Sequence, residues 1–238
     1  MKLRGRVSGT GFTLVALSCS LLLCGCAEIL AELQPRDAAD ASTPTDGLRE
    51  ALRVGTGRAV ERLGRTDGYL GVPDLRIPVP DKLEKIAGAL RTIGAEEYVD
   101  DFVTSMNRAA EAAAPVARDV FVDSIREMTF SDAMTILRGH GHEATDYFRG
   151  HAGPRLAELF HPIVGDKLGA VGATRSFNEL MDQTSRIPFV SRPAFDLTSY
   201  VTDRALDGLF LTIAKEEERI RQDPLARTTE LLRRYFGR

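Results

Sequence analysis

Three polar residues that could form a buried site stand together in the alanine-rich segment SMNRAAEAAAP: Asn107, Arg108 and Glu111. Alanines surround this helix, so neighbouring elements can approach it closely on several sides. Arg108 and Glu111 are three residues apart, a spacing at which helical side chains can form an ion pair. The pattern favours a buried ion pair and amide that fix helix register. The alternative is that these groups form the polar floor of a ligand pocket.

A second polar group that could bind or react consists of Asp203, Asp207 and the nearby Arg227. Two carboxylates one helical turn apart could hold a cation or act as a general acid and base. They could equally pair with basic residues of the same helix and of the last helix. We favour pairing, because four arginines are available for it: Arg204, Arg227, Arg233 and Arg234.

All four histidines fall in one short stretch, HGHEATDYFRGHAGPRLAELFH, which raises the question of zinc binding. Two of them form an H-x-H beside glycine, which is a weak zinc signal, and no HExxH motif is present. We expect His140, His142, His151 and His161 to be surface residues without a ligand role. No metal and no other cofactor is predicted.

Other sequence motifs give little support for catalysis. Gly55-Thr56-Gly57 has no preceding strand, no third glycine and no GK[ST], so it is interpreted as a weak point in a helix and not as a phosphate loop. No Ser-His-Asp set or nucleophile elbow stands out. The three cysteines, Cys19, Cys24 and Cys26, all precede residue 27. The predicted mature domain therefore has no thiol for disulfides, nucleophilic catalysis or metal clusters.

The amino-terminal segment has the layout of a secretory signal peptide. Lys2, Arg4 and Arg6 precede an apolar run over about residues 12–23, which small residues follow. A membrane-spanning helix needs about 20 apolar residues. This run is shorter, and glutamates follow it closely, so we interpret it as a targeting signal.

The end of this segment, Leu23-Cys24-Gly25-Cys26, resembles the lipobox of bacterial lipoproteins. In that family the signal peptide is cut before the last cysteine, whose sulfur carries a diacylglycerol. The resemblance implies a signal peptide over residues 1–25 and lipidation of Cys26. Cys24 departs from the pattern, which usually has a small or β-branched residue there, and the alternative is an ordinary signal peptidase site nearby. Ala27 stands where an aspartate would be linked to inner-membrane retention, so the resemblance favours the outer membrane.

The predicted mature chain is acidic. Residues 1–25 hold three of the 31 basic residues and none of the 34 acidic residues, which leaves 28 basic residues against 34 acidic ones. Such a chain lacks the electrostatic footprint for nucleic acid or for anionic lipid headgroups. Membrane attachment is therefore expected through acyl chains, in which each buried CH₂ contributes about 0.8 kcal/mol.

The rest of the chain is predicted to be helical. Residues 26–45 become polar toward their end and are interpreted as a flexible tether, and the folded domain is expected over residues 46–238. Within this domain apolar residues recur at helical spacing between Gly and Pro punctuation, and Gly64 is expected to end the first helix. The segment DLRIPVP alternates briefly, but its prolines indicate an extended loop. We predict an all-α fold, a compact single-domain bundle of about eight to ten helices.

Five features of individual helices are predicted. Ser131 is expected to cap a short helix that ends at Gly139, and Pro162 is expected to kink or split its helix. Asp196 is expected to cap the longest helix, whose apolar residues change face, as in a helix between two sets of partners. The carboxyl end of that helix is expected to be solvated because of its charged pairs, Lys215/Arg219 and Glu217/Arg221.

Three blocks of the sequence resemble a known family. They are VGTGRAVERLGRTDGYLGVPDLRIPVPDKL, SMNRAAEAAAP and, as the most specific, IPFVSRPAFDLTSYVTDRALDGLFLTIAKEEERIRQDPLARTTELLRRYFG. Together they resemble the bacterial domain of unknown function family numbered 4197, over about residues 47–237. Members of that family are similar to this chain in carrying an export or lipoprotein signal. The resemblance implies no established activity, cofactor or catalytic residue.

Two functions fit these observations. The first is a non-catalytic helical lipoprotein of the cell envelope that faces the periplasm and binds or scaffolds an envelope protein or a small apolar ligand at the membrane surface. The second is a hydrolase-like enzyme that uses a polar cluster between helices. A deep pocket in which the polar groups converge would favour the enzyme. A dense core whose carboxylates pair with arginine would favour the binding module.

Overall fold

The computed structural model describes residues 43–183 and 194–223. These residues form nine α-helices: α1 (Pro44–Leu63), α2 (Glu84–Thr92), α3 (Glu96–Ala113), α4 (Ala117–Glu127), α5 (Phe130–Arg138), α6 (Glu143–His151), α7 (Gly153–Ala170), α8 (Ala173–Asp182) and α9 (Leu197–Gln222). Two 3₁₀ turns, Asp81–Leu83 and Ala114–Val116, precede α2 and α4. The described residues contain no strand, so the predicted all-α fold is confirmed.

Helix α9 occupies the centre of the bundle. It packs against α1, α3, α6 and α7, while α3 packs against α2, α7 and α8. Residues from both predicted apolar faces of α9 are buried, among them Val201, Ala205, Leu209 and Ile213. The prediction of a helix held between two sets of partners is therefore confirmed. None of the described helices combines the length and the apolar character that crossing a bilayer requires.

Local sequence signals set the ends of the two longest helices. At the start of α1, the Thr43 hydroxyl accepts a hydrogen bond from the Asp46 N–H, and the Asp46 carboxylate accepts one from the Thr43 N–H. Gly64 ends this helix, as predicted. Asp196 caps α9 by accepting a hydrogen bond from the Ser199 N–H at 3.0 Å, also as predicted. This backbone hydrogen bond lowers the pKa of Asp196 below its usual range.

The cap of α5 is Thr129, so the prediction of Ser131 is wrong. The Thr129 hydroxyl accepts from the Asp132 N–H at 3.2 Å, and the Asp132 carboxylate accepts from the Thr129 N–H at 3.0 Å. This reciprocal arrangement is a capping box, which satisfies two backbone donors at once. Ser131 consequently lies inside the first turn of the helix.

Pro162 does not split its helix. Helix α7 continues from Gly153 to Ala170 with Pro162 inside it, so of the two predicted outcomes, a kink or a split, the split is excluded. Proline removes the hydrogen bond to the carbonyl four residues earlier, here that of Glu158. Both Pro162 and Glu158 are exposed residues, so the proline lies on the solvent side of the helix.

The glycines of the Gly55-Thr56-Gly57 motif lie in the interior of α1, as predicted. Thr56 is buried there, and its hydroxyl donates to the Leu52 carbonyl at 2.8 Å. The motif is thus part of a regular helix. Glycine in a helix interior costs about 0.5–1 kcal/mol relative to alanine.

A different glycine, Gly208, makes room for a buried tyrosine. Tyr69 is fully buried against α9, and its hydroxyl donates to the Ala205 carbonyl at 2.7 Å. Burial raises the pKa of this phenol, which keeps it neutral. A Cβ atom at Gly208 would lie 2.7 Å from Cε1 of the ring. Because the hydrogen bond and the burial fix the ring, α9 requires glycine at this position.

We predict that Gly208→Ala lowers the free energy of unfolding by about 1–3 kcal/mol, because overpacking outweighs the better helix propensity of alanine. Gly57→Ala is the matched control, since a Cβ there meets no atom within 4 Å. The control should raise stability by about 0.5–1 kcal/mol. Urea unfolding followed by far-UV circular dichroism measures both changes. Equal stabilisation by the two substitutions would contradict the packing of Tyr69.

Candidate functional site

Asn107 holds an extended part of the chain against α3. Residues 65–80, here called the connecting segment, join α1 to the 3₁₀ turn before α2. The fully buried Asn107 accepts the Ile77 N–H at 2.8 Å and donates to the Ile77 carbonyl at 2.9 Å. Its amide also donates to Val103 of its own helix at 2.8 Å. One side chain therefore satisfies both backbone groups of Ile77.

Glu111 and Arg108 bind the same segment one turn further along α3. The buried Glu111 carboxylate accepts the N–H groups of Tyr69 and Leu70, both at 3.1 Å. Arg108 donates to Glu111 at 2.6 Å and to Asp67 at 2.8 Å. The hydrogen bond to Glu111 raises the pKa of Arg108 above its usual value. Asp67 adopts a left-handed φ of 65°, and its pairing with Arg108 holds this turn in place.

The structure therefore brings Asn107, Arg108 and Glu111 together. The Arg108–Glu111 ion pair is present, as the sequence pattern favoured. Its role is to hold the connecting segment against α3. The two surface clefts described below are lined by other residues.

Asp203 and Asp207 both lie on the exposed side of α9. Arg204 approaches Asp207 with 3.5 Å between Nη2 and Oδ2, which is the kind of pairing that the sequence favoured. Asp207 lines a cleft between α9 and the connecting segment, whereas Asp203 is not part of its lining. Arg227 lies outside the described residues.

This cleft, here called the Arg76 cleft, has a volume of about 120 Å³. Its charged lining comes from both walls, with Asp74 and Arg76 on the connecting segment and Arg204 and Asp207 on α9. Its apolar lining includes Leu211, a leucine of α9 that is 38 % exposed. The cleft thus combines two guanidinium groups with a small apolar surface.

The segment wall of the cleft is fixed from two sides. Asn107 holds Ile77 from α3, as described above. From α9, the Tyr200 hydroxyl donates to the Pro78 carbonyl at 3.1 Å, and Lys215 donates to the Asp74 carboxylate at 2.9 Å. The hydrogen bond from Lys215 lowers the pKa of Asp74. The backbone on either side of Arg76 is consequently anchored.

A second depression lies beside the Arg76 cleft. It has a volume of about 400 Å³, and Arg76 and Pro78 line it as well. Its other charged residues include Arg91 and Glu84, which form an ion pair with 3.1 Å between them. Arg76 therefore stands on a ridge between two depressions.

The sequence contained a signal for this ridge. Along residues 74–79 the side chains alternate, with Leu75, Ile77 and Val79 buried and the intervening residues exposed. The prolines correctly indicated an extended loop. The brief alternation of this segment indicates which face of the loop points outward.

Glu217 caps a helix that is far away in sequence. It lies on α9, is buried, and accepts the N–H groups of Ala144 and Thr145 at 3.1 and 2.9 Å, together with the Thr145 hydroxyl at 2.8 Å. Both N–H groups belong to the first turn of α6, where helical donors have no partner in their own helix. A carboxylate at this end also meets the positive end of the helix dipole.

Arg221, one turn later on α9, caps the neighbouring helix end. It binds Glu217 at 2.8 Å and donates to the carbonyls of Ile136 and Gly139 at 3.1 and 3.0 Å. Those carbonyls belong to the carboxyl end of α5, where a cation is favourable. We call the Glu217–Arg221 pair the double cap, because it completes the end of one helix and the start of the next.

The expectation of a solvated carboxyl end for α9 is therefore wrong for these residues. Glu216 and Glu217 are only 4 % and 8 % exposed. Four-residue spacing of opposite charges looks the same in a solvated and in a buried pair. A signal was nevertheless present, because Glu217 continues the buried row of Leu209 and Ile213 at four-residue steps.

An apolar cavity lies next to the double cap. Leu48 and Leu52 of α1, Phe148 of α6 and Ile213 of α9 contribute to its walls, and its volume is about 30 Å³. An acyl chain does not fit this cavity as it stands.

All four histidines are exposed, as expected. His151 stacks on Tyr147 with 4.3 Å between ring centres, and its Nδ1 lies 3.0 Å from the Tyr147 carbonyl oxygen. Within residues 43–183 and 194–223, no three His, Cys, Asp or Glu side chains are grouped so that they could hold a metal ion.

Comparison with known proteins places the chain in a family. It matches the family model DUF4197, described as "Protein of unknown function", over residues 38–237. No curated protein and no solved structure matches the chain. The match includes the connecting segment, α3 and α9, and it agrees with the resemblance of the three sequence blocks. The chain therefore belongs to the DUF4197 family.

Proposed function

We propose that this protein is a lipid-anchored, non-catalytic binding module of the cell envelope. In this proposal the acylated Cys26 attaches it to a membrane that faces the periplasm, with the outer membrane favoured over the inner one. The helical domain then binds an envelope protein through the ridge that carries Arg76. The observation that carries the proposal is the anchoring of this ridge by α3 and α9.

The use of the buried polar groups supports a binding module over an enzyme. Asn107, Glu111 and Glu217 are three buried groups whose chemistry could have served a substrate. The side chain of each forms hydrogen bonds with backbone groups of the same chain. The two charged ones also pair with arginine. This is the pattern expected of a packed scaffold.

The small size of the apolar cavity argues against an apolar ligand inside it. The apolar cavity beside the double cap has only about 30 Å³, whereas ligand pockets typically have about 300–1,000 Å³. The Arg76 ridge instead offers an exposed arginine beside surface depressions. Arginine on a preorganised backbone is a common anchor of protein interfaces, because little conformational entropy is lost on binding.

Site-specific photo-crosslinking in cells that produce the full chain tests this proposal. A photoreactive amino acid at Leu211, on the lining of the Arg76 cleft, should give discrete crosslinked products. The same amino acid at Arg118, an exposed residue of α4, is the control and should not give them. Excess protein without the photoreactive amino acid should lower the yield of these crosslinked products. The Arg76→Glu variant in the same excess should not lower it. Identical products from both positions, or equal competition by Arg76→Glu, would contradict the proposal.

A further inference from the structure

The geometry points to the Arg76 cleft as a binding site for a carboxylate that carries a short apolar group, as the carboxyl-terminal residue of a peptide does. This inference rests on the proposed function and names the chemical group of the partner that enters the cleft. The free form of the same chemistry is an N-acylated amino acid. Arg76 supplies the charge, Leu211 the apolar contact and Asp207 an acceptor for the amide N–H of the ligand.

The charge balance of the cleft favours an anion at Arg76. Lys215 neutralises Asp74 at 2.9 Å, and Arg204 lies 3.5 Å from Asp207. The backbone N–H of Arg76 donates to the Val72 carbonyl at 2.9 Å, but its guanidinium makes no hydrogen bond or ion pair with any residue that the structure describes. Of the lysine and arginine side chains on the connecting segment and on α9, Arg76 is therefore the one that has no carboxylate partner among the described residues. A ligand carboxylate can supply that partner through charge-assisted hydrogen bonds.

The apolar lining of the cleft favours a ligand whose carboxylate carries an apolar group. Leu211 is one of only a few large apolar side chains that are notably exposed in the described residues. It lines the same cleft as Arg76, and Gly208 next to it leaves the wall without a side chain. An aliphatic group attached to the carboxylate would cover Leu211 and remove its surface from water.

The volume limits the size of the group that enters. About 120 Å³ is below the roughly 300–1,000 Å³ that is typical of pockets for whole small-molecule ligands. A carboxylate with a few carbon atoms fits this space, whereas a nucleotide or an acyl chain does not. The hydrogen bonds to Ile77, Pro78 and Asp74 already hold the chain around Arg76. Ligand binding therefore requires little further ordering of that wall and loses little conformational entropy.

Ligand-observed NMR on the purified full chain tests the inference with two probes that differ in one group. N-acetylvaline carries the carboxylate, and N-acetylvalinamide replaces it with a neutral amide. We expect the acid to bind the wild type at least about tenfold more tightly than the amide, since hydrogen bonds to charged groups are the stronger ones. Arg76→Ala should weaken binding of the acid by about tenfold or more, and Arg118→Ala should leave it unchanged.

A pentapeptide that ends in a free valine separates the two sources of the carboxylate. Tighter binding than N-acetylvaline identifies a peptide terminus, and equal binding identifies an N-acylated amino acid; both outcomes support the carboxylate site. Equal binding of acid and amide, or unchanged binding in a folded Arg76→Ala protein, would overturn it. Either failure leaves the crosslinking result at Leu211 intact, so failure of this inference is distinguishable from failure of the proposed function.

Discussion

Replacing Glu217 with alanine is expected to lower the free energy of unfolding by about 3–5 kcal/mol, as for other buried ion pairs that lose one partner. The substitution removes the acceptor of two N–H groups at the start of α6. It also removes the nearer of two carboxylates that Arg221, whose side chain is 17 % exposed, contacts; Glu143 remains at 3.4 Å. Glu217→Gln should cost less, because it keeps the size of the side chain and one acceptor oxygen.

Urea unfolding gives the global effect, and hydrogen exchange at the amides of Ala144 and Thr145 gives the local one. Glu218→Ala is the matched control, because Glu218 is the next residue but is exposed, and its effect should stay within about 0.5 kcal/mol. The Glu217→Ala/Arg221→Ala double variant should lose less than the sum of the two single losses. Unchanged exchange at Ala144 and Thr145 in a Glu217→Ala protein that remains folded would contradict the double cap.

The second large effect is expected at the predicted lipidation site. Cys26→Ser should abolish acylation and release any processed protein into the soluble periplasmic fraction. The reason is that the predicted mature chain is acidic and that membrane affinity is expected from the acyl chains alone. Labelling of cells with a clickable fatty acid, followed by fractionation, measures both consequences.

Cys24→Ala is the control for this experiment. Cys24 lies in the part of the chain that is predicted to be discarded, so labelling and membrane association should both persist. If the Cys26→Ser protein still incorporates the fatty acid, or stays with washed membranes after cleavage, the lipoprotein proposal is wrong. Both positions lie outside the described residues, and neither substitution should change the melting of the helical domain.

Local signals in the sequence were sufficient to predict some of the helix ends. Gly64 and Asp196 were assigned correctly because their effects involve only neighbours within one turn. The error at Ser131 was local as well, since the capping box from Thr129 to Asp132 is present in the sequence as T-F-S-D. Pro162 shows the limit of such rules, because the cost of a lost backbone hydrogen bond depends on whether water reaches the carbonyl.

Partners that lie far apart in sequence were beyond prediction. The pattern around Asn107 indicated a buried polar group, but Ile77, its partner, lies 30 residues earlier in a loop without helical periodicity. Glu217 is 72 residues from Thr145, and no spacing rule connects two such positions. The Arg76 cleft exists only because the connecting segment and α9 meet in space. Composition and periodicity describe each element separately, whereas a cleft is a property of two elements together.

The double cap makes the order of protein synthesis matter. A ribosome produces α5 and α6 long before it reaches Glu217 and Arg221, so the first turn of α6 and the last turn of α5 emerge without these side chains. Any nascent chain that stops before residue 217 lacks the carboxylate and the guanidinium that complete both ends. Thr145 and Glu217 are separated by 72 residues. Bringing them together reduces the conformational entropy of the chain before the new contacts can stabilise the fold. Completion of the bundle is thus tied to completion of the polypeptide.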